Sequence, residues 1–298
     1  MRRAVLLACA VLAATAILVA GSTAFVYEPP RVPAMTKTTT TTPAPRRHPT
    51  TPTFTRPQRE ELTRALRRYL HGRSGDLSIS VREASTGLSY SYGESLRTAT
   101  ASIVKVDIVM ALLLRAQHER RALTSMEKAL AERAIKVSDN DAASELWRSI
   151  GGAHGLASAN RTLGLRDTEP GPGGSWGSTT TSAADQIRLL TALTSAGSPL
   201  DSAGRRFVRH LMGDVAPEQA WGVSAAGAGA EVKNGWLPRE THGGAWTVNS
   251  IGIVRAAGRT FLIAALSERG ATMRDGVETV EHACKIVAAA LARASIET

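Results

Sequence analysis

The sequence contains only two cysteines in 298 residues, and it offers no pair for a disulfide within one folded domain. Cys9 lies in an apolar N-terminal stretch, and Cys284 lies near the other end of the chain. The seven histidines show no H-x-x-x-H or other spacing typical of metal ligands. We therefore expect no disulfide and no metal site, and nothing in the sequence implies an organic cofactor.

Most of the chain also lacks an excess of positive charge, although the net charge is +10. Residues 1–73 hold 12 Lys or Arg and 3 Asp or Glu, whereas residues 74–298 hold 24 and 23. A nucleic-acid-binding domain concentrates positive charge on its own surface, so we expect no nucleic-acid partner. The basic N-terminal segment instead suits an anionic membrane surface or wall polymer.

The N-terminus carries the pattern of an export signal. Arg2 and Arg3 precede the uncharged residues 4–26, and these 23 residues exceed the roughly 20 that span a bilayer. Residues 1–26 are therefore predicted to be a signal peptide or an uncleaved signal anchor, with the remainder outside. The sequence before Cys9 resembles a lipoprotein cleavage site, but it is shorter than the roughly 7–15 residues of a signal core. We expect an exported protein, either secreted or held at the extracellular face of the membrane.

The rest of the chain divides into a linker and a folded body. Residues 27–56 are rich in Thr and Pro without apolar periodicity, which predicts a disordered linker or stalk. Residues 57–298 form the predicted domain, without internal repeats. Its pattern predicts a helix, two strands, a helical block over 102–213, three strands and a final helix over about 273–293. This order indicates an α+β domain with one antiparallel five-stranded sheet, flanked by terminal helices and joined to a helical lobe.

Three short motifs carry the chemistry. A lysine one helical turn after a serine can act as its base, because burial makes the ammonium lose its proton more easily. A polar motif and then a glycine-containing motif follow this pair along the chain. The three are Ser102-Ile103-Val104-Lys105, Ser138-Asp139-Asn140 and Lys233-Asn234-Gly235.

Together the motifs resemble the active-site elements of serine penicillin-recognising enzymes, meaning β-lactamases and D-alanyl-D-alanine peptidases. The similarity covers roughly residues 60–298 and is closest to class A β-lactamases. It implies the β-lactamase/penicillin-binding-protein fold, an acyl-enzyme formed with a β-lactam or a peptidoglycan stem peptide, and a monomer. By the same resemblance, Ser102 is the nucleophile and Lys105 its base, while Ser138 and Lys233 deliver a proton to the leaving nitrogen. Asn140, Asn234 and Gly235 contact substrate, and the N–H groups of Ser102 and Trp236 form an oxyanion hole.

Three departures from the class A pattern bear on function. The family usually has Thr or Ser where this chain has Asn234, and that hydroxyl helps to bind a substrate carboxylate. The 36 positions from Ser102 to Ser138 are fewer than usual, which predicts a reduced pocket wall. The loop Glu-x-x-Leu-Asn pattern is absent, and Glu169 is the only candidate for the carboxylate that activates the deacylating water. Without a general base, the acyl-enzyme could persist.

Three alternatives remain. Residues 173–177 match the G-x-S-x-G pattern of α/β-hydrolases, but no buried strand precedes them. We expect a glycine-rich loop there, which could line the pocket through Trp176. Ser125 and Lys128 repeat the serine–lysine spacing, but Thr124 and Glu127 form a capping box that makes Ser125 an ordinary helix start. The domain could also be a binding or sensor module that is acylated once, or that holds wall peptide without turnover.

Overall fold

The computed structural model describes residues 53–294. The predicted segment 1–26, most of the predicted linker and Cys9 lie outside these residues, so those boundaries stay predictions. Within the described part, no helix is both long and apolar enough to cross a bilayer. Eight α-helices occur in this part of the chain: α1 (Arg56–Leu70), α2 (Val104–His118), α3 (Ser125–Lys136), α4 (Asn140–Ser149), α5 (Gly152–Leu163), α6 (Ala183–Thr194), α7 (Ser202–Gly213) and α8 (Met273–Ala292).

The strands form one large sheet and one short ladder: β1 (Asp76–Glu83), β2 (Ser89–Tyr92), β3 (Thr98–Ala99), β4 (Thr180–Thr181), β5 (Ala228–Arg239), β6 (Ala245–Ala256) and β7 (Arg259–Gly270). The large sheet is antiparallel throughout and has the order β2-β1-β7-β6-β5. Strands β3 and β4 pair separately. The predicted five-stranded α+β fold is therefore confirmed, whereas the β3–β4 ladder was not predicted because each strand is only two residues long.

Side chains of the central strands alternate between two apolar cores. In β7, Leu262 and Leu266 belong to the core shared with the helical lobe, and Phe261 and Ile263 belong to the core beneath α1 and α8. Since both faces are covered, β6 and β7 read as nearly continuous buried runs rather than as half-exposed strands. The sheet therefore holds β5, at its edge, rigidly against the helical lobe.

Helix α2 crosses the centre of the helical lobe. Its residues from Val104 to Leu112 are all buried, including Lys105 and Asp107. Helix α2 is therefore enclosed on most sides. Two charged groups therefore lie where water is largely excluded, a placement that strongly perturbs their protonation.

Polar caps fix where the lobe helices begin. Thr124 and Glu127 form the predicted capping box at the start of α3, so Ser125 is an ordinary first helical residue. Asp139 accepts a hydrogen bond from the Ala142 N–H (2.9 Å) and caps α4. The turn between α3 and α4 is therefore fixed, and it carries Ser138.

Candidate active site

Ser102 lies in a 3₁₀ turn, Ala101–Ile103, that leads directly into α2. The residue before it, Ala101, has φ of 49°, a left-handed conformation that costs a non-glycine residue free energy. The side chain of Ser102 is partly exposed, whereas its neighbours Ala101 and Ile103 are buried. The strained turn thus presents one hydroxyl group to the cleft while the adjacent chain is held inside.

Asn249 on β6 holds the segment that enters this turn. Its Nδ2 donates to the Ala99 carbonyl (2.8 Å) and the Thr100 carbonyl (3.1 Å). Its Oδ1 accepts from the Ser267 N–H (3.2 Å). The amide is fully buried, so these bonds replace its hydration. Sequence reasoning missed Asn249; a polar residue inside an otherwise apolar strand was the available signal.

Lys105 lies one turn beyond Ser102 and is completely buried. Its Nζ donates to the Ser138 carbonyl (2.6 Å), the Asn140 Oδ1 (2.8 Å) and the Ser138 Oγ (3.1 Å). None of the hydrogen bonds within residues 53–294 joins Lys105 Nζ to Ser102 Oγ. Burial lowers the pKa of Lys105 to about 7, against a smaller opposing effect of the Asp139 carboxylate. A neutral amine, able to accept a proton, is therefore well populated near neutral pH.

Lys233 on β5 also reaches Ser138, the serine that Lys105 contacts. Its Nζ donates to Ser138 Oγ (3.0 Å) and to the Asn234 carbonyl (2.8 Å). Burial, followed by repulsion from Lys105, holds the pKa of Lys233 well below its usual value. Ser138 itself has φ of 58°, and its left-handed turn is fixed by the cap at Asp139. The second and third motifs therefore meet at one hydroxyl group.

Gly235 brings β5 against the nucleophile turn. A Cβ at this position would lie 2.6 Å from the Ser102 nitrogen and 2.8 Å from the Ile103 nitrogen. The Asn234 carbonyl faces the open edge of β5, because it accepts from Lys233 Nζ, and backbone groups two residues apart face the same side. The N–H of Trp236 therefore also faces that edge, one residue beyond the point where β5 approaches the Ser102 nitrogen. The predicted oxyanion hole at these two N–H groups stays a prediction.

Two of the predicted site residues differ from expectation. The Asn234 side chain is fully buried, and its Nδ2 donates to the Gln219 carbonyl (2.7 Å) and the Trp221 carbonyl (3.0 Å). It therefore does not present its amide to substrate, because side chains alternate along β5 and the Lys233 side chain, on the other face, reaches Ser138. Only the main-chain carbonyl of Asn234 contacts the site.

Glu169 does not join this hydrogen-bond network. Glu169 is exposed, and its side chain makes no hydrogen bond within the described residues. Its backbone N–H and carbonyl are both paired with Thr180 at 2.9 Å. The expected role as water-activating base therefore gains no support from its position. Across residues 53–294, no three His, Cys, Asp or Glu side chains cluster as metal ligands.

The glycine-rich loop forms two 3₁₀ turns, Pro172–Gly174 and Trp176–Ser178, and not the strand-to-helix elbow of an α/β-hydrolase. The expectation of a loop here is thus confirmed. Trp176 is half-buried, and the centre of its indole ring lies 4.9 Å from Lys105 Nζ. The loop therefore contributes an aromatic wall beside the general-base candidate.

Solved structures share this fold. The TLA-1 extended-spectrum β-lactamase superposes with a TM-score of 0.70 at 15% identity, covering 79% of this chain and all of that one. A class A β-lactamase from Bacteroides cellulosilyticus gives a TM-score of 0.67 at 15% identity, covering 78% and 98%. At such low identity the likeness shows the fold alone, and that fold is the class A β-lactamase fold.

A sequence comparison decides the family. The model of the beta-lactamase enzyme family matches residues 123–293, which is more than half of the chain. The chain belongs to the beta-lactamase enzyme family. The matched range includes Ser138, Asn140 and Lys233. It begins after Ser102 and Lys105, so the roles of those two residues do not rest on this match.

This family member also resembles curated mycobacterial proteins. The proteins named "Putative lipoprotein LppW" of Mycobacterium tuberculosis and Mycobacterium bovis are 30% identical to it over 200 residues. The alignment covers 63% of this chain and 62% of theirs. The chain thus spans less than two thirds of the length of these relatives.

Proposed function

We propose that this β-lactamase family member is an active-site serine hydrolase that forms an acyl-enzyme with β-lactams at Ser102. One observation carries the proposal: Lys105 and Lys233, both buried, converge on the Ser138 hydroxyl beside the nucleophile turn. Buried lysines are rare unless they have a role. Such perturbed groups, grouped in a cleft, are typical of catalytic sites.

The proposed reaction begins with Ser102 Oγ attacking the amide carbonyl carbon. Lys105 accepts the hydroxyl proton, because a pKa of about 7 leaves part of its population as the neutral amine. To reach Ser102 Oγ, Lys105 Nζ must exchange one of its present partners, since catalytic hydrogen bonds often tighten only once substrate is bound. The N–H groups of Ser102 and Trp236 stabilise the oxyanion that forms on the carbonyl oxygen.

Collapse of the tetrahedral intermediate breaks the amide C–N bond. Ser138 Oγ donates a proton to the leaving nitrogen, and its hydrogen bonds to Lys105 and Lys233 allow that proton to be replaced. Asn140 holds Lys105 through its Oδ1, which leaves its Nδ2 free to donate to an amide carbonyl of substrate. The product is an ester between Ser102 Oγ and the acyl group.

A D-Ala-D-Ala-like wall peptide is the alternative acyl donor, because it offers the same groups an amide carbonyl. The similar solved structures are β-lactamases, which favours the antibiotic as the first substrate to test. A second alternative is a binding or sensor module acylated once without turnover, which the exposed position of Glu169 favours.

Labelling with a fluorescent penicillin tests the proposal on the full chain. We expect a labelled band for the wild type and for Ser175→Ala, which alters the exposed serine of the glycine-rich loop, and no band for Ser102→Ala. Loss of label upon addition of an acyl-D-Ala-D-Ala peptide would show that the wall peptide competes for Ser102. Equal labelling of the Ser102→Ala variant would overturn the proposal.

We further propose that the protein is exported to the cell envelope as a monomer. Support comes from the pattern of residues 1–26 and from the word "lipoprotein" in the name of the LppW relatives. The mass of the N-terminal peptide from envelope preparations tests this. A free N-terminus after the apolar segment indicates a cleaved signal, lipid on Cys9 indicates a lipoprotein, and an intact N-terminus indicates an anchor. Recovery only from the cytoplasm would contradict export.

A further inference from the structure

The indole ring of Trp176 covers the one side of Lys105 that the second motif leaves open. Lys105 Nζ already donates three hydrogen bonds, all of them to Ser138 and Asn140. The indole centre lies 4.9 Å away, within the range of a cation–π contact with the protonated amine. The base is therefore surrounded by protein groups, and none of its hydrogens is directed at a water molecule.

We propose that Trp176 keeps water away from the Ser102–Lys105 pair, so that the acyl-enzyme is long-lived and Trp176 sets its lifetime. The inference rests on the proposed acylation of Ser102 and adds what happens afterwards. It assigns Trp176 as a positioning residue, because the ring acts through Lys105 and through the space it fills. The physical basis is the position of the ring and the hydrogen bonds that fix it.

Hydrogen bonds lock the ring in place. Trp176 Nε1 donates to Ser144 Oγ (3.1 Å), and Ser144 Oγ donates to the Asn140 carbonyl (2.9 Å). The Thr179 N–H donates to the Trp176 carbonyl (3.1 Å), while the Thr179 carbonyl accepts from Thr100 (2.7 Å). The loop is therefore tied both to α4 and to the segment entering the nucleophile turn, and the indole cannot swing away without breaking its bond to Ser144.

Glycines make this loop path possible. A Cβ on Gly171 would lie 2.1 Å from the Ser175 carbonyl oxygen, so only glycine permits the close fold of the loop. Gly173 and Gly174 have φ of 58° and 82°, which glycine adopts without strain. The sequence GPGGSWG is thus explained as a tight turn that delivers Trp176 to Lys105.

Within residues 53–294, no carboxylate forms a hydrogen bond or an ion pair with Lys105 that would place it there to activate water. Glu169 is exposed and its backbone is fixed in both directions by Thr180. The Asp139 carboxylate is occupied by the Ala142 N–H and by the Arg133 guanidinium. Since a positioned general base contributes roughly 10²–10⁴-fold, the lack of a carboxylate bonded at Lys105 predicts slow hydrolysis.

The slow step is hydrolysis of the Ser102 ester. A water oxygen attacks the acyl carbonyl carbon, one water proton passes to the neutral amine of Lys105, and the bond from the carbonyl carbon to Ser102 Oγ breaks. Ser102 Oγ regains that proton from Lys105, and the acyl group leaves as a carboxylic acid. Trp176 retards the first of these events by filling the approach beside Lys105.

The test measures the lifetime of the Ser102 adduct by intact-protein mass on the full chain. Two acyl donors are used, benzylpenicillin and p-nitrophenyl acetate, and acylation and deacylation are timed separately. We compare wild type with Trp176→Ala, which removes the ring, and Trp176→Phe, which keeps a ring but loses the bond to Ser144. Trp246→Ala is the control, because Trp246 is also a half-buried tryptophan but lies near the start of β6.

We expect Trp176→Ala to shorten the adduct lifetime by about tenfold or more, with a smaller change for Trp176→Phe and none for Trp246→Ala. A wild-type adduct that clears within seconds would overturn the inference and leave the proposed acylation intact. Unchanged lifetimes in Trp176→Phe and in Trp176→Ala would also overturn it. Failure of both donors to modify Ser102 would overturn the proposed function and this inference together, whereas modification by the ester alone would overturn only the β-lactam proposal.

Discussion

The Nζ atoms of Lys105 and Lys233 lie 3.1 Å and 3.0 Å from the same atom, Ser138 Oγ. Burial lowers the pKa values of both lysines, and repulsion from Lys105 lowers that of Lys233 further. A neutral amine therefore coexists with a proton donor around a single serine. This is the protonation pattern that acyl transfer needs, because one group must accept a proton while another supplies one.

The acylation rate should depend on pH through Lys105. Its pKa is lowered to about 7, so the neutral and catalytically competent amine increases as pH rises through 7 and then saturates. We expect the rate of adduct formation to rise from pH 5 to about pH 8 and then level off. In Lys105→Arg the acylation rate should fall by about 10²–10⁴-fold at every pH, because a guanidinium stays charged and cannot accept the proton. A wild-type rate independent of pH between 5 and 8 would contradict the role of Lys105.

Gly235→Ala should block the site sterically. The added Cβ would lie 2.6 Å from the Ser102 nitrogen, and both contacts nearest to it are backbone atoms that cannot move aside. We expect a loss of about 1–3 kcal/mol in the free energy of unfolding and a large loss of acylation. Gly197→Ala is the matched control, since its Cβ would meet nothing closer than 3.8 Å. Normal acylation by Gly235→Ala would show that β5 does not approach Ser102 as described.

Asn249→Ala should displace the nucleophile. It removes the two hydrogen bonds to the Ala99 and Thr100 carbonyls, and leaving buried partners unpaired costs about 1–3 kcal/mol. Asn160→Ala is the control, because it also deletes a buried amide, but one that lies beside Asp107 and the Leu156 carbonyl instead of the nucleophile turn. We expect both variants to lower the thermal midpoint and only Asn249→Ala to slow acylation strongly. Equal acylation rates would contradict the assigned role of Asn249.

Asp107→Asn tests a buried carboxyl on α2. Burial, followed by repulsion from Asp185, raises the pKa of Asp107 to about 8. The folded chain therefore holds a proton that the unfolded chain releases near pH 4, so its contribution to stability is full below pH 4 and is lost as pH rises through 8. Asparagine mimics the neutral carboxyl and does not titrate. The free energy of unfolding of the variant, measured with denaturant, should therefore rise relative to that of wild type between pH 5 and 8. A constant difference across this range would rule out a raised pKa.

The sequence predicted the groups of the site better than their surroundings. Ser102 and Lys105 were predicted from their spacing together with the resemblance to serine penicillin-recognising enzymes, and Lys233 was predicted from that resemblance and its place in the motif order. The five-stranded sheet follows from alternating strands and a helical middle block. These features depend on local pattern, which one sequence displays directly.

The remaining features depend on distant parts of the chain. Whether Asn234 faces the cleft is decided by the carbonyls of Gln219 and Trp221, and its side-chain direction follows from strand register that the sequence does not display. The clamp at Asn249 joins segments about 150 positions apart. The position of Trp176 depends on how a glycine-rich loop folds, and glycine permits many paths.

Intact-protein mass against time, after benzylpenicillin is mixed with the full chain, tests the central claim most directly. The account predicts that wild type gains the mass of the drug once, that Ser102→Ala gains nothing, and that the adduct maps to the peptide containing Ser102. It also predicts that the lifetime of this adduct is many times longer than the time needed to form it. No adduct on wild type, or the same adduct on Ser102→Ala, would contradict the assignment of Ser102 as a nucleophile that β-lactams acylate.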